Sequence, residues 1–556
     1  MRTEFKKWTA RALTASLIIG ATNVTFAAEA TGAGKPISLM PKMGDLHHPV
    51  STTNEMAQRF FDQGLTFVFG FNHDAAIRSF KRALEYDPNL AMAQWGIGLA
   101  LGPNINLPVS PEAEKAAYDA TQKAVEMSKN ATQAEQDYIR ALSVRYSIEP
   151  GADLVALDKK YSAAMGELHA KYPDDLDAAT LYAESMMDLK PWQYWNEDGT
   201  PAVGMENLVA VLESVMRRYP EHPGANHYYI HVVEASNFPE RALPSAARLE
   251  TFAPAAGHLV HMPSHVYLRV GDYAAAAHRN EIASEVDLDY VQACGIGGFY
   301  PAMYTSHNMH FAAVAHLMQG RYAAANRFAV RLLNHVKPIA ENVPDLETFL
   351  PTVEQVLVVF GKWDEILALP QPAEKFKLHR GVWHYARGMA YANLNKIGAA
   401  TEEVEKVAAL RTVLETNAFG PFNKANDIFT IAENHVRARI ALAAGDTEKA
   451  AELLRAVVPV EDKLRYMEPP DWYIYTREAL GGVLLTAGKF SEAEAVFRKD
   501  LDKNRRKGRA LYGLHAALEK QGNKAQAKFI ARGFEKAWEN SDTPLAPESI
   551  WWIAKN

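Results

Sequence analysis

A chain of 556 residues with 48% hydrophobic content has ample material for a large folded core and, by length alone, for several domains. Its formal net charge of −7, or −9 once the four bases and two acids of residues 1–30 are set aside, argues against nucleic acid as the main partner. Cys294 is the single cysteine, which excludes an internal disulfide and leaves stability to packing.

The N-terminus carries Arg2, Lys6, Lys7 and Arg11, then a weakly apolar run over 12–28, then the small residues A-A-E-A. That is the order of a secretory signal peptide, with cleavage expected after Ala27 or Ala30 and a periplasmic mature protein. No later segment has about 20 uninterrupted apolar residues, so no membrane span is expected in the mature chain. An irregular lead follows over 31–55. The basic run 503–509 reads as a solvated helix end.

From residue 56 the chain is repetitive. Gly64, Phe67, Ala76, Phe80, Ala83 and Pro88 place a small residue and an aromatic on one helix, then Ala, an aromatic, Ala and a closing Pro on a second. Small residues let antiparallel helices approach, large ones fill the gap between pairs, and proline stops the second helix. The register recurs at Gly271–Asp272–Tyr273, Gly320–Arg321–Tyr322, Gly388, Gly445–Asp446, Gly481 with Gly488, and Gly522–Asn523. Leu208, Ala242 and Ala276 are 34 residues apart, as are Pro220 and Pro254. The chain therefore resembles the tetratricopeptide repeat (TPR) superfamily. The resemblance implies an all-α, TPR-type helix-pair solenoid wound as a right-handed superhelix. Its expected parts are N-terminal repeats with insertions over 56–205, central His-rich repeats over 206–336 and C-terminal repeats over 337–556.

Three insertions break the period. Residues 102–111 (G-P-N-I-N-L-P-V-S-P) cannot be helix interior; 190–204 holds Trp192, Tyr194 and Trp195; 294–301 (C-G-I-G-G-F-Y-P) is glycine-rich. Each is a candidate rim or lid, or ordinary packing between irregular repeats.

Ten of the nineteen histidines fall between His222 and His316. Aligning Ala276 with Ala242 puts His258, His261 and His265 at the second, fifth and ninth places of their first helix. His227, His231 and Glu234 take the fifth, ninth and twelfth places of the preceding one. His307 and His310 fall at the second and fifth of the next. Spacings of three and four place each set on one helix face. In the proteins this chain resembles, those places line the concave groove, so eight ligand-type side chains are aimed into one groove from three successive helices. The stretches G-P-N-I-N at 102–106, N-H-Y-Y-I-H at 226–231, H-M-P-S-H at 261–265 and H-N-M-H at 307–310 also resemble a group of exported bacterial TPR proteins. That likeness implies the fold and no reaction.

Imidazole with carboxylate and no thiolate pair suits Zn, Cu(II), Fe(II) or Ni. Eight candidates exceed the needs of one ion, so either two ions bind or some histidines are acid–base or orienting groups. His227, His231 and Glu234 are one conceivable two-His, one-carboxylate set, and Tyr228, Tyr229, Tyr267 and Tyr304 are candidates to orient imidazoles. Glu184 and Asp188 are secondary candidates; His435 takes a groove place, whereas His384 and His515 fall at packing places. No phosphate-binding loop, G-x-S-x-G elbow or H-E-x-x-H helix occurs, and Cys294 reads as incidental. The expected function is a metal-dependent protein, an enzyme acting on a small molecule or a metal store, with a peptide-binding scaffold as the rival reading.

Overall fold

The structure is a computed structural model that describes residues 37–196, 199–294, 298–545 and 551. The expected signal peptide over 1–30 lies outside these residues. Antiparallel helix pairs run from Glu55–Phe69 with His73–Tyr86 to Gly508–Lys520 with Lys524–Ala537, each packed on the next. Among the described residues, the strands form one two-residue hairpin, Ala418–Phe419 against Asn423–Lys424. The architecture is an all-α, TPR-type helix-pair solenoid.

One packing device recurs along it. A Cβ built on Gly64 or on Gly96 would stand 2.6 Å from the Phe80 ring, and one on Gly481 or Gly513 would meet Phe497 at 2.4 and 2.2 Å. In both repeats a phenylalanine of the second helix is clasped between glycines of the two flanking first helices, an approach that any side chain would block. Apolar cores pass from repeat to repeat, one spanning Ile37 to Tyr304, another Tyr273 to Tyr475 and a third Ala438 to Ala527. Each helix pair buries its apolar face only by stacking on its neighbours, which is why the array continues.

The solenoid also touches itself across its turns. The His227 ring reaches the Phe69 carbonyl 158 residues away. Near the other end Tyr273 donates to the Arg505 carbonyl at 2.9 Å, Arg505 pairs with Glu240 at 2.9 Å, and Ser541 donates to the Gly320 carbonyl at 2.9 Å. Two insertions serve this closure. Trp192, at φ +62°, donates its indole N–H to the Ile105 carbonyl at 3.0 Å, and Trp195 donates to the Val232 carbonyl at 2.6 Å. Of the third insertion, Cys294 ends the Tyr273–Cys294 helix and Pro301 opens a π-helical turn, Pro301–Thr305; residues 295–297 lie outside the described residues.

The lead segment is pinned by a His–Asp–His clamp. Asp177 bonds the His48 Nδ1 at 2.7 Å through one carboxylate oxygen and the His222 Nε2 at 3.1 Å through the other. Burial lowers the His48 pKa, but the bond to Asp177 and the nearby Asp177, Asp175 and Asp62 charges outweigh it and hold the value above 6.5. A histidine raised on folding contributes stability that is fully present below its unfolded value and is lost as pH rises through its folded value. Amide exchange over residues 46–52 should therefore accelerate several-fold as pH is raised from 6.5 through the raised value, after correction for intrinsic rates. His48→Gln should remove that dependence.

Candidate metal centre

The histidines come from three consecutive first helices. Pro223–Val233 carries His227 and His231 and ends at Glu234; its N-terminus is capped by the His222 ring, which accepts from the Ala225 N–H. The second helix is broken at Met262, because Pro263 has no N–H to continue the ladder. Met262 nevertheless keeps helical angles, φ −51° and ψ −36°, so His258 and His261 in Gly257–His261 stay in register with His265 in Pro263–Val270. His307 and His310 lie on Ser306–Met318.

Seven of the eight predicted side chains converge. Ligand-type atoms of His227, His231 and His258 lie within 4.8 Å of one another; so do those of His231, Glu234 and His265, and those of His261, His265 and His307. The groups are chained, His231 joining the first to the second and His265 the second to the third. His310 is not gathered with them: its ring packs on Phe349 and Tyr473, with centroids at 5.5 and 5.9 Å. The set His227, His231 and Glu234 does not form either, because Glu234 closes on His231 and His265 instead.

The hydrogen bonds show which ring nitrogens are free. A carbonyl can only accept, so His227 Nδ1–H donates to the Phe69 carbonyl at 2.5 Å. The Asn280 amide is turned by its own N–H bond to the Ala276 carbonyl at 2.8 Å, so it presents Oδ1 to His261 Nδ1 at 2.6 Å. Glu234 takes His231 Nδ1 at 2.8 Å on one oxygen and His265 Nδ1 at 2.5 Å on the other. With Glu234 as the carboxylate anion, four imidazoles thus carry their proton on Nδ1 and leave Nε2 bare. The Nε2 atoms of His261 and His265 lie 2.6 Å apart, those of His227 and His258 lie 3.2 Å apart, and His231 Nε2 is buried with no partner among the described residues. The orienting groups are therefore a carbonyl, a carboxylate and an amide. None of the candidate tyrosines does this: Tyr229 donates to Glu213, Tyr267 to Glu250, Tyr304 meets Asn106, and the Tyr228 ring packs on Phe69 and Phe71.

Burial sets the electrostatics. It pushes His231 and His261 down to about 3 and His310 to about 4. Burial, with repulsion from neighbouring imidazoles, drives His227, His258, His265 and His307 well below 6.5. The rings are neutral at pH 7, the form that ligates metal. Burial pushes Glu234 well up, opposed by the Tyr466 hydroxyl at 3.0 Å and the Arg269 guanidinium.

Where an open groove was expected, the space is filled. His227, His231, Glu234, His258, His261 and His265 are at most 2% exposed, whereas His307 and His310 are half-buried. Phe71, at φ +54° in the turn after Glu55–Phe69, stacks on His231 and His258 and sets its edge against His227. Trp192 stands edge-on to His231 at 5.2 Å, and Tyr304 to His258 at 4.7 Å. From the far end of the chain come Tyr466 and Glu468, the latter with one oxygen 3.9 Å from His265 Nδ1 and the other buried without a partner among the described residues. Sequence reasoning found neither Phe71, Asn280, Tyr466 nor Glu468. No spacing ties them to the histidine motifs.

The secondary candidates are engaged elsewhere. Asp188 pairs with the buried Arg145 at 2.6 Å and Glu184 lies in the same cluster; His435 bonds Thr476, His384 bonds Glu403 and His515 bonds the Ala527 carbonyl. A further group, His48 with Asp175 and Asp177, has its side-chain atoms taken by the clamp and by Tyr138.

No family model and no curated protein matches the chain. Similar solved structures include yeast Tom70, 14% identical over 88% of this chain and 93% of that one, with a TM-score of 0.27. Others are the human IFIT1 dimer with m7Gppp-AAAA, at 11% identity over 88% and 91% with a TM-score of 0.31, and the APC/C hetero-tetramer Cut9–Hcn1, at 11% over 90% and 96% with a TM-score of 0.28.

Proposed function

We propose that the chain is a metal-binding protein that holds two transition-metal ions, one among His227, His231 and His258 and one among His261, His265 and His307. Glu234 joins the two centres by orienting one imidazole of each. The observation that carries this reading is the set of Nδ1–H groups tied to acceptors while the bare Nε2 atoms of His261 and His265 face each other and His227 and His231 turn theirs toward His258. Two lone pairs 2.6 Å apart repel unless a proton or a metal cation lies between them. Burial, which holds both rings neutral, opposes the proton. A tetrahedral ion about 2.0–2.1 Å from each nitrogen would spread the pair to roughly 3.3 Å, a shift of about 0.7 Å that ring rotation can supply. An orienting partner on the second ring nitrogen is the usual companion of a ligating histidine.

Imidazole-rich, thiolate-free sites fit Zn, Cu(II) or Fe(II). Fixed rings in small number favour a few tightly held ions over a store that loads and releases many. His307, half-buried, is where a coordination position can open to a small molecule, which supports a metal-dependent enzyme within this reading. The scaffold reading would use other faces of the solenoid, because the histidine-bearing places are covered by the chain's own side chains. The N-terminal order of charges and small residues supports export to the periplasm.

Protein purified from periplasm without a histidine tag should contain about two transition-metal ions per chain by elemental analysis. Its metal-free form should melt at a lower temperature and recover when the ion is restored. A metal-free preparation whose melting is unchanged by Zn, Cu or Fe overturns the reading.

A further inference from the structure

Apart from the histidines, a cavity of about 290 Å³ lies where the Thr352–Val359, Lys377–Asn393, Ala425–Ala443 and Thr476–Thr486 helices meet the start of Gly508–Lys520. Its charged wall is Arg439, Lys507, Arg509 and Glu478. Lys507, 2% exposed, bonds Glu478 at 2.8 Å and Asp500 at 3.2 Å, and stands 3.6 Å over the Tyr475 ring. Arg509 shares Glu478, at 4.0 Å. The available carboxylates are therefore used by two of the three cations. Arg439 has no carboxylate, carbonyl or ring partner among the described residues, and its Nε is buried. Desolvation lowers its guanidinium to about 10. A desolvated guanidinium with no anion among the described residues is a costly arrangement, and its planar fork matches a carboxylate through two parallel hydrogen bonds.

The remaining walls select the rest of the ligand. Phe360, Tyr473 and Tyr475 are aromatic, and Met389 and Val359 close the apolar side. The volume is near the lower end, roughly 300 Å³, of small-molecule pockets. We propose that this cavity binds a small organic anion, a carboxylate on a planar apolar body, with Arg439 as the fork that anchors it. The site does not depend on the metal reading, since none of its wall residues belongs to the histidine cluster.

Benzoate is the probe, titrated calorimetrically into the full-length chain at constant ionic strength. The expected result is saturable binding of one benzoate per chain, no comparable binding of inorganic phosphate, and a loss of about tenfold or more in Arg439→Gln. No saturable benzoate binding, or an unchanged affinity in Arg439→Gln, overturns the proposal. Phosphate binding as tight as benzoate overturns the planar-carboxylate class. Should Arg439→Gln fail to fold, Val359→Phe keeps the guanidinium and narrows the cavity; an unchanged affinity there overturns the proposal equally.

Discussion

Glu234→Gln should cut transition-metal content from about two ions per chain to one, or weaken one centre by about 10–100-fold, without unfolding the metal-free protein. The reason lies in what each carboxylate oxygen does. One accepts from His231 Nδ1 and the other from His265 Nδ1, so a single anion fixes the tautomer of one ring in each centre. Glutamine has nearly the same shape but only one acceptor; its amide nitrogen is a donor. Whichever histidine meets that nitrogen must present a bare Nδ1, which moves its proton to Nε2 and removes the lone pair a metal would use. Elemental analysis with competition against a chelator measures the loss, and circular dichroism with melting of the metal-free form checks the fold. Two full equivalents at unchanged affinity would show that Glu234 does not orient these rings. Asn280→Leu is the matching test for His261, expected to affect that centre and spare the other.

Arg145→Met should destabilise the N-terminal half by about 3–5 kcal/mol, the largest structural effect anticipated here. Arg145 is 2% exposed; it bonds Asp188 at 2.6 Å and Asp158 at 3.2 Å and lies 4.5 Å over the Tyr161 ring. Glu184 is buried beside Asp188, and burial together with repulsion from Asp188 raises its pKa well above 4.5 while Arg145 pulls it down. Methionine fills the volume but leaves these carboxyls without their cation. Their folded pKa values then rise further. A carboxyl raised on folding destabilises the native state at pH above its unfolded value, and that penalty fades as pH falls toward about 4. The deficit of Arg145→Met should thus be largest near pH 7 and shrink toward pH 4–5, read by denaturant unfolding or by protease sensitivity of residues 133–205. A deficit independent of pH would point to lost packing over Tyr161 rather than unpaired charge.

The arrangement of the candidate site divides by the range over which its parts act. His258, His261 and His265, like His227 and His231, share a helix face because three- and four-residue steps bring side chains together on any α-helix. That local rule survives even the break at Pro263, since Met262 keeps helical angles. His310 obeys the same periodicity and yet stands apart, because its surroundings, Phe349 and Tyr473, come from other repeats. The two-His, one-carboxylate set failed for a similar reason. Glu234 is one helical turn from His231, but His265 reaches it from the next helix and draws its second oxygen away from His227. Asn280 and Phe71 carry no signal at all in the histidine spacing. One orients His261 from the second helix of its pair, and the other enters from the first repeat.

The residues alone determined the repeat, the helix pairs and the helix faces on which the histidines sit, since glycine clearance, proline stops and helical period all act within about 34 residues. Only the tertiary structure decided that the groove is closed rather than open, which ring nitrogens are bare, and which groups orient them. Those outcomes hang on the Phe69 carbonyl 158 residues from His227 and on the Tyr466 hydroxyl 232 residues from Glu234. Such contacts arise from the small rotation each repeat adds to the last, summed until distant turns of the solenoid meet, and no periodicity in the chain records where that meeting falls.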